Sequence, residues 1–138
     1  MSTFSNLQEL YIYRTDIDLK GLGNSNLSYV WMLDSDVKNF DSLAECLALR
    51  NISLTDTIVD DYIINSDGNF TMKDSGFLSS FDNVTELGIY IDIIEDVSGI
   101  CEMDSLKSLS VSEGTISDQA IDQLEKKGIK VAQKKIDD

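Results

Sequence analysis

The sequence contains no histidine and only two cysteines, Cys46 and Cys101. Histidine is the commonest general base and metal ligand, so its absence removes the side chain on which many catalytic and zinc sites depend. The sequence also contains no glycine-rich phosphate loop, no G-x-S-x-G segment and no predicted helix with regularly spaced metal ligands. It therefore predicts a protein that is not an enzyme and that uses no cofactor or metal.

Basic residues are scarce as well, with 11 Lys and Arg against 25 Asp and Glu, which gives a net charge of −14. Nucleic acids and anionic membranes attract positively charged surfaces, so we expect neither as a partner. The charge favours a soluble monomer or weak dimer, and it would steer the chain toward a basic protein partner.

Long apolar runs are also missing. No segment approaches the roughly 20 apolar residues that a membrane-spanning helix needs. The start, MSTFSNLQEL, has neither the basic nor the apolar region of a signal peptide. We therefore expect one domain, residues 1–138, in the cytoplasm, where both cysteines remain buried thiols.

What the sequence does contain is a repeat. Five segments carry apolar residues at relative positions 1, 4, 6 and 11, and they begin 20, 22, 35 and 22 residues apart. These positions are Leu7, Leu10, Ile12 and Ile17; Leu27, Val30, Met32 and Val37; Leu49, Ile52, Leu54 and Val59; Val84, Leu87, Ile89 and Ile94; and Leu106, Leu109, Val111 and Ile116. Each segment predicts a strand and a return segment, which bury their apolar faces only by stacking.

This pattern, L-x-x-L-x-L-x-x-x-x-I, resembles the leucine-rich repeat, especially its short bacterial class in internalin-like proteins. The segment VTELGIYIDIIEDVSGICEMDS, residues 84–105, matches best, and the segment 27–48 places Phe40 and Leu43 in inward positions. The resemblance implies an α/β solenoid, a stack of about five to six coils with a parallel sheet and a C-terminal capping helix.

The ninth position of each segment departs from the family, which usually has asparagine there to bond the backbone of a neighbouring coil. This chain has Thr15, Ser35, Thr57, Asp92 and Gly114. The first four retain an oxygen that can take part in such a ladder, whereas Gly114 has none. We therefore expect an irregular stack.

The ends of the stack are predicted to differ. Residues 117–138 form the C-terminal cap, with Ser117 as N-cap, a helix over 118–127 in which Ile121 and Leu124 face inward, Gly128 after its end, and a short final strand. At the other end Phe4 is expected to fold over the core.

Residues 60–82 form an irregular insertion. The pair Asp67 and Gly68 lies between the β-rich runs DYIIN and NFTMK and predicts a hairpin, followed by a helical turn over SGFLSSF. A degenerate extra repeat is the alternative. A calcium loop is disfavoured because the position of its first acidic ligand would hold Ile63.

Positions 3, 5 and 7 of each segment point away from the core, because side chains alternate along a strand. They hold four of the five tyrosines and the only tryptophan, and none holds phenylalanine. In a leucine-rich repeat this face is the concave surface. Tyrosine and tryptophan tolerate a wet surface and are frequent at interfaces.

We therefore predict a partner-binding surface with an acidic rim, to which Asp56 also contributes. Its residues are Glu9, Tyr11, Tyr13, Tyr29, Trp31, Leu33, Asp34, Glu86 and Tyr90. Two other interpretations stay open: the insertion 60–82 covers the rings, or the rings are present only because they favour strands.

The resulting functional hypothesis is a non-catalytic protein-binding module, an inhibitor or immunity-type protein that occludes a basic toxin or enzyme. A self-associating scaffold protein, with contacts through Phe4 and Tyr11, is one alternative. An acidic mimic of nucleic acid is another.

Overall fold

The computed structural model describes residues 8–22 and 26–135, which form two six-stranded sheets joined by short helical segments. The first sheet has the order β1 (Glu9–Tyr13), β3 (Tyr29–Leu33), β5 (Asn51–Thr55), β9 (Glu86–Tyr90), β11 (Ser108–Ser112) and β12 (Lys130–Lys134). The second has the order β10 (Ile93–Ile94), β8 (Asn69–Met72), β7 (Ile63–Ser66), β6 (Ile58–Val59), β4 (Asp36–Lys38) and β2 (Asp16–Asp18). The helical segments are η1 (Phe40–Glu45), η2 (Gly76–Ser80), α1 (Ser98–Cys101) and α2 (Asp118–Lys126).

The second sheet was not predicted, and a corner in the backbone explains it. Arg14, Asp34 and Asp56 directly follow strands of the first sheet and have positive φ angles of 49°, 52° and 43°. This left-handed conformation, in which aspartate is enriched, turns the chain sharply. The next strand begins two residues later and belongs to the second sheet. Each of these strands, β2, β4 and β6, has only two or three residues.

The predicted core positions are almost all buried. Of the twenty positions, Leu10 and Ile17 are half-buried, and Leu7, like Phe4, lies outside the described residues. The two half-buried residues belong to the first segment, whose strands are edge strands of both sheets within the described residues. Phe40 and Leu43 are fully buried, as the resemblance implied.

The hydroxyl ladder at the corners is present in part. Between neighbouring segments, the Ser35 hydroxyl accepts the N–H of Thr15 at 3.1 Å. Thr15, Ser35 and Thr57 each also donate a hydrogen bond to the carbonyl two residues earlier in their own segment, at 2.8–2.9 Å. In the last segment Thr115 takes this place beside Gly114, and its buried hydroxyl donates to the Ile91 carbonyl. The Asp92 carboxylate instead accepts the N–H of Phe70 in the hairpin, at 2.8 Å.

The hairpin predicted at Asp67 and Gly68 is confirmed, since β7 and β8 pair in antiparallel register with Ser66 opposite Asn69. β7 also pairs antiparallel with β6, and β8 pairs parallel with β10. In the first sheet β5 is directly next to β9. In the second sheet β7 and β8 lie between the corresponding strands, β6 and β10, so that sheet has two additional strands at this point. With strands about 4.8 Å apart, this widens the second sheet by about 10 Å.

The C-terminal helix begins as predicted and ends one residue earlier. The Ser117 hydroxyl accepts the N–H of Ala120 at 3.1 Å, and Gly128 follows with a φ of +88°. Leu124 is fully buried and Ile121 half-buried. The final strand, β12, pairs in parallel with β11.

Cys46 is buried and Cys101 is only half-buried, which corrects the expectation that both thiols are buried, and no disulfide joins them. Desolvation raises the pKa of the Cys101 thiol. No helix in the described ranges is long and apolar enough to cross a bilayer.

Candidate functional site

The outward side of the first sheet holds eight of the nine predicted binding residues in three rows, because its strands are paired in register, and the ninth, Asp34, lies at the corner after β3. The first row holds Glu9, Tyr29, Asn51, Glu86, Ser108 and Lys130; the second holds Tyr11, Trp31, Ser53, Gly88, Ser110 and Ala132; the third holds Tyr13, Leu33, Thr55 and Tyr90, continued by Ser112 and Lys134. We call this surface the outer face.

Three rings form a contiguous aromatic cluster at the N-terminal end of the outer face, namely Tyr11, Tyr29 and Trp31. The centroid of the Tyr11 ring lies 5.6 Å from that of Tyr29 and 6.0 Å from that of Trp31, with tilted planes. Tyr11 is 59% exposed, and Tyr29 and Trp31 are half-buried. The cluster is thus an aromatic surface in contact with solvent.

Exposed carboxylates flank these rings. The Tyr11 hydroxyl donates to Glu9 Oε1 at 3.3 Å, and Glu86 Oε2 accepts the Asn51 side-chain amide at 2.8 Å. Desolvation of the hydroxyl and then the charge of Glu9 raise the pKa of the Tyr11 phenol. The phenol therefore remains a neutral donor at physiological pH.

The corner beside β1 already holds a cation. The Arg14 guanidinium lies 5.1 Å from the centroid of the Tyr13 ring, and its Nε is 3.3 Å from Asp34 Oδ2. Tyr13 is 53% exposed, so this arrangement of ring, guanidinium and carboxylate is in contact with water.

Tyr90 faces the same side but is separate from the aromatic cluster. Its ring lies over Gly88, where a Cβ atom would be 3.1 Å from the ring. The Lys134 ammonium is 6.0 Å from the centroid of the Tyr90 ring. Between Tyr29 and Lys134 the small residues Ser53, Gly88 and Ser110 line a depression of about 270 Å³.

Lys130 and Lys134 are members of the outer face that sequence reasoning missed. They lie on the same side as Ser108 and Ser112, because β12 pairs in register with β11. The predicted surface was aromatic with an acidic rim, whereas Lys130 and Lys134 add two ammonium groups at its C-terminal end. The alternation of KVAQK after Gly128 carried this signal.

The insertion does not cover the rings. β7 and β8 extend the second sheet, and η2 packs against α1. No described residue of 60–82 therefore lies on the outer face, and the fifth tyrosine, Tyr62, stacks on Phe77 among the return segments.

A row of acids follows the carboxyl ends of the strands, where Asp56 lies between Asp34 and Asp92. Desolvation, then the charges of Asp92 and Asp34, raise the pKa of the Asp56 carboxyl. A raised folded-state pKa adds stability below the unfolded value, about 4, and that stability is lost as the pH rises through the folded value. At neutral pH the ionised Asp56 is therefore unfavourable.

We predict that Asp56→Asn stabilises the protein at pH 7, by up to about 0.5 kcal/mol because the site is exposed to solvent. Asparagine also tolerates the positive φ of this corner. Thermal unfolding at pH 7 and pH 3 measures the effect, which should vanish at pH 3 and shrink with added salt. Asp104→Asn, at an exposed turn before β11, is the control. A gain that is equal at both pH values contradicts the electrostatic explanation.

Within the described ranges no group of three or more Asp, Glu and Cys side chains is arranged to hold a metal ion. The outer face instead offers rings, hydroxyls, carboxylates at one end and ammonium groups at the other. Such groups can bind another molecule by stacking, ion pairing and hydrogen bonding.

Comparison with known proteins supports the fold. No family model matches the chain, and no curated protein matches it. Among solved structures, an internalin from Listeria monocytogenes is similar with a TM-score of 0.51 and 18% identity, over 83% of this chain and 29% of the internalin. The chain thus spans less than a third of that protein's length. The likeness and the parallel sheets support a leucine-rich-repeat-like fold, as the sequence pattern predicted.

Proposed function

We propose that the chain is a short leucine-rich-repeat solenoid of about five to six coils, a single domain over residues 1–138, that acts as a non-catalytic protein-binding module. In this proposal it is an inhibitor or immunity-type protein of the cytoplasm. Its outer face covers a functional surface of a basic protein partner, such as a toxin or an enzyme.

The aromatic cluster is the observation that carries the proposal. The Tyr11 ring lies within 6.0 Å of the rings of Tyr29 and Trp31 on a regular sheet, and the exposed ring of Tyr13 lies on the same strand as Tyr11. Rings of this kind supply most of the binding energy at protein interfaces, where they lose their contact with water. The hydrogen-bonded parallel sheet also orders the backbone that carries them before binding, which lowers the entropy cost of association.

The charge supports a basic partner. The net charge is −14, and Glu9, Asp34 and Glu86 are exposed around the rings. Opposite charge on the partner would raise the association rate, and carboxylates at the rim would then orient the complex.

The test begins with capture of the partner from a lysate of the native host on the immobilised chain. Affinity of the purified partner is then measured for the double variant Trp31→Ala plus Tyr13→Ala. We expect a loss of about 30-fold or more, the effect of removing a binding hot spot. Leu47→Ala is the matched control, because Leu47 is 72% exposed and lies in the loop before β5. Unchanged affinity of the folded double variant overturns the proposal.

A self-associating scaffold is the second candidate, and it rests on the position of β1. Within the described residues β1 is an edge strand of the first sheet, and Tyr11 on it is 59% exposed. Exposed edges favour pairing with other chains. Sedimentation of the wild-type chain separates the candidates, since a strict monomer at high concentration excludes the scaffold.

A further inference from the structure

The chain itself shows which group suits its exposed rings. Arg14 lies 5.1 Å from the centroid of the Tyr13 ring and 3.3 Å from Asp34, although the Arg14 and Asp34 side chains are 68% and 56% exposed. A guanidinium can thus be held by one ring and one carboxylate on this surface, in contact with water. This is the arrangement that planar, weakly hydrated guanidinium groups favour.

The same combination recurs next to it, and there no cation among the described residues contacts the rings or the carboxylate. Tyr11 contacts the rings of Tyr29 and Trp31, and its hydroxyl bonds Glu9. The only other arginine in the sequence, Arg50, donates to the carbonyls of Leu47 and Leu49.

We propose that the aromatic cluster and Glu9 bind an arginine side chain that the protein partner presents. The inference rests on the proposed function and specifies the chemistry of the partner. The guanidinium would stack on Tyr11 or Trp31 and pair with the Glu9 carboxylate, as Arg14 does with Tyr13 and Asp34. Lysine fits less well, because its ammonium is strongly hydrated and lacks the planar face that stacks on a ring.

The charges of the sheet confine this site to its N-terminal end. Glu9 lies at the β1 end of its row and Lys130 at the β12 end, five strand steps away. A basic segment is attracted to the first and repelled by the second. Arg14 weakens the attraction at the N-terminal end, because its positive charge lies beside the proposed site and its guanidinium already contacts Tyr13 and Asp34.

The probes for the test are the peptides (Gly-Arg)₄ and (Gly-Lys)₄, which have equal charge. Trp31 is the only tryptophan, so its fluorescence reports binding at the aromatic cluster without a label. We expect the arginine peptide to bind at least about fivefold more tightly than the lysine peptide in low salt. Equal affinity of the two peptides overturns the proposal.

Variants of exposed residues locate the preference. Tyr11→Ala should abolish the preference for arginine, and Tyr11→Phe, which keeps the ring, should retain it. Arg14→Asn should tighten binding of the arginine peptide about two- to fivefold, because it frees Tyr13 and Asp34 and removes a like charge. Leu47→Ala, in the exposed loop before β5 and outside the outer face, is the control and should change nothing. A preference that survives Tyr11→Ala contradicts the proposed site.

The two proposals fail in different ways. Suppose that the arginine and lysine peptides bind equally while Trp31→Ala plus Tyr13→Ala still disrupts the natural complex. The arginine inference is then wrong, and the proposal that the outer face binds the partner is retained. If the natural complex is unaffected by that double variant, the proposed function is wrong whatever the peptides do.

Discussion

Alanine at position 99 is expected to destabilise the protein by about 3 kcal/mol, because α1 crosses η2 with almost no space between their backbones. A Cβ atom on Gly99 would lie 2.0 Å from the carbonyl oxygen of Ser75 and 2.7 Å from Cα of Gly76. Backbone atoms cannot move aside as the end of a flexible side chain can. The Gly99 N–H also donates to the Ser75 hydroxyl at 2.9 Å, a buried bond that any shift would break.

Urea unfolding of Gly99→Ala and the wild type measures this loss of unfolding free energy. Thermal unfolding of the same two proteins should show a fall in Tm on the order of 10 °C. Gly114→Ala is the matched control. Its Cβ would meet no atom within 4 Å, so the cost comes only from the positive φ of 83° and should be about 1 kcal/mol. If the two variants lose equal stability, η2 and α1 do not approach each other as described.

Alanine in place of Phe40 is expected to cost about 4 kcal/mol, the usual effect of removing a buried phenylalanine ring. Phe40 is fully buried in η1. Its ring centroid lies 5.7 Å from that of Phe77 and 5.5 Å from that of Phe81, so one ring joins the return segments of two neighbouring repeats. Its loss would leave a cavity between them.

Tyr13→Ala is the matched control for Phe40→Ala, because it removes a ring that is 53% exposed. We expect this change to cost less than about 1 kcal/mol of stability. Urea unfolding of both variants decides the matter. A Tyr13→Ala loss as large as that of Phe40→Ala would show that the outer face is part of the stabilising core.

The stability changes of Phe40→Ala and Tyr13→Ala together bear on the proposed function. Phe40 and Phe81 are buried in the core, whereas the rings of the outer face are in contact with solvent. If stability depends on Phe40 and hardly on Tyr13, a loss of binding in Trp31→Ala plus Tyr13→Ala reflects the surface and not the fold.

Much of the architecture follows from local sequence. The apolar residues at positions 1, 4, 6 and 11 predicted the strands of the first sheet, because a strand buries alternate residues, and the resemblance to the leucine-rich repeat implied their parallel pairing. Asp67 and Gly68 predicted the hairpin, since such a pair takes up the positive φ of a tight turn. Ser117 predicted the start of α2, because its hydroxyl satisfies a free N–H of the first helical turn.

The second sheet could not be predicted in the same way. Strands such as Ile58–Val59 and Ile93–Ile94 have two residues each, too few to show a period. Their pairing depends on corners such as Asp56, whose positive φ a single aspartate does not announce. Gly114 has no side-chain oxygen, and the next residue, Thr115, makes the hydrogen bond in its place. This bond likewise depends on how one segment lies on the next.

By itself, the sequence determined that the chain is a repeat with a buried apolar side, and that most of its tyrosines and its tryptophan face the other way. Those features depend on alternation along a strand, which is a local property of the backbone. Only the tertiary structure decided that Tyr11, Tyr29 and Trp31 touch while Tyr90 stands apart, and that Lys130 and Lys134 close the same surface. The order in which strands pair sets these distances, and it is fixed by packing between residues far apart in the chain.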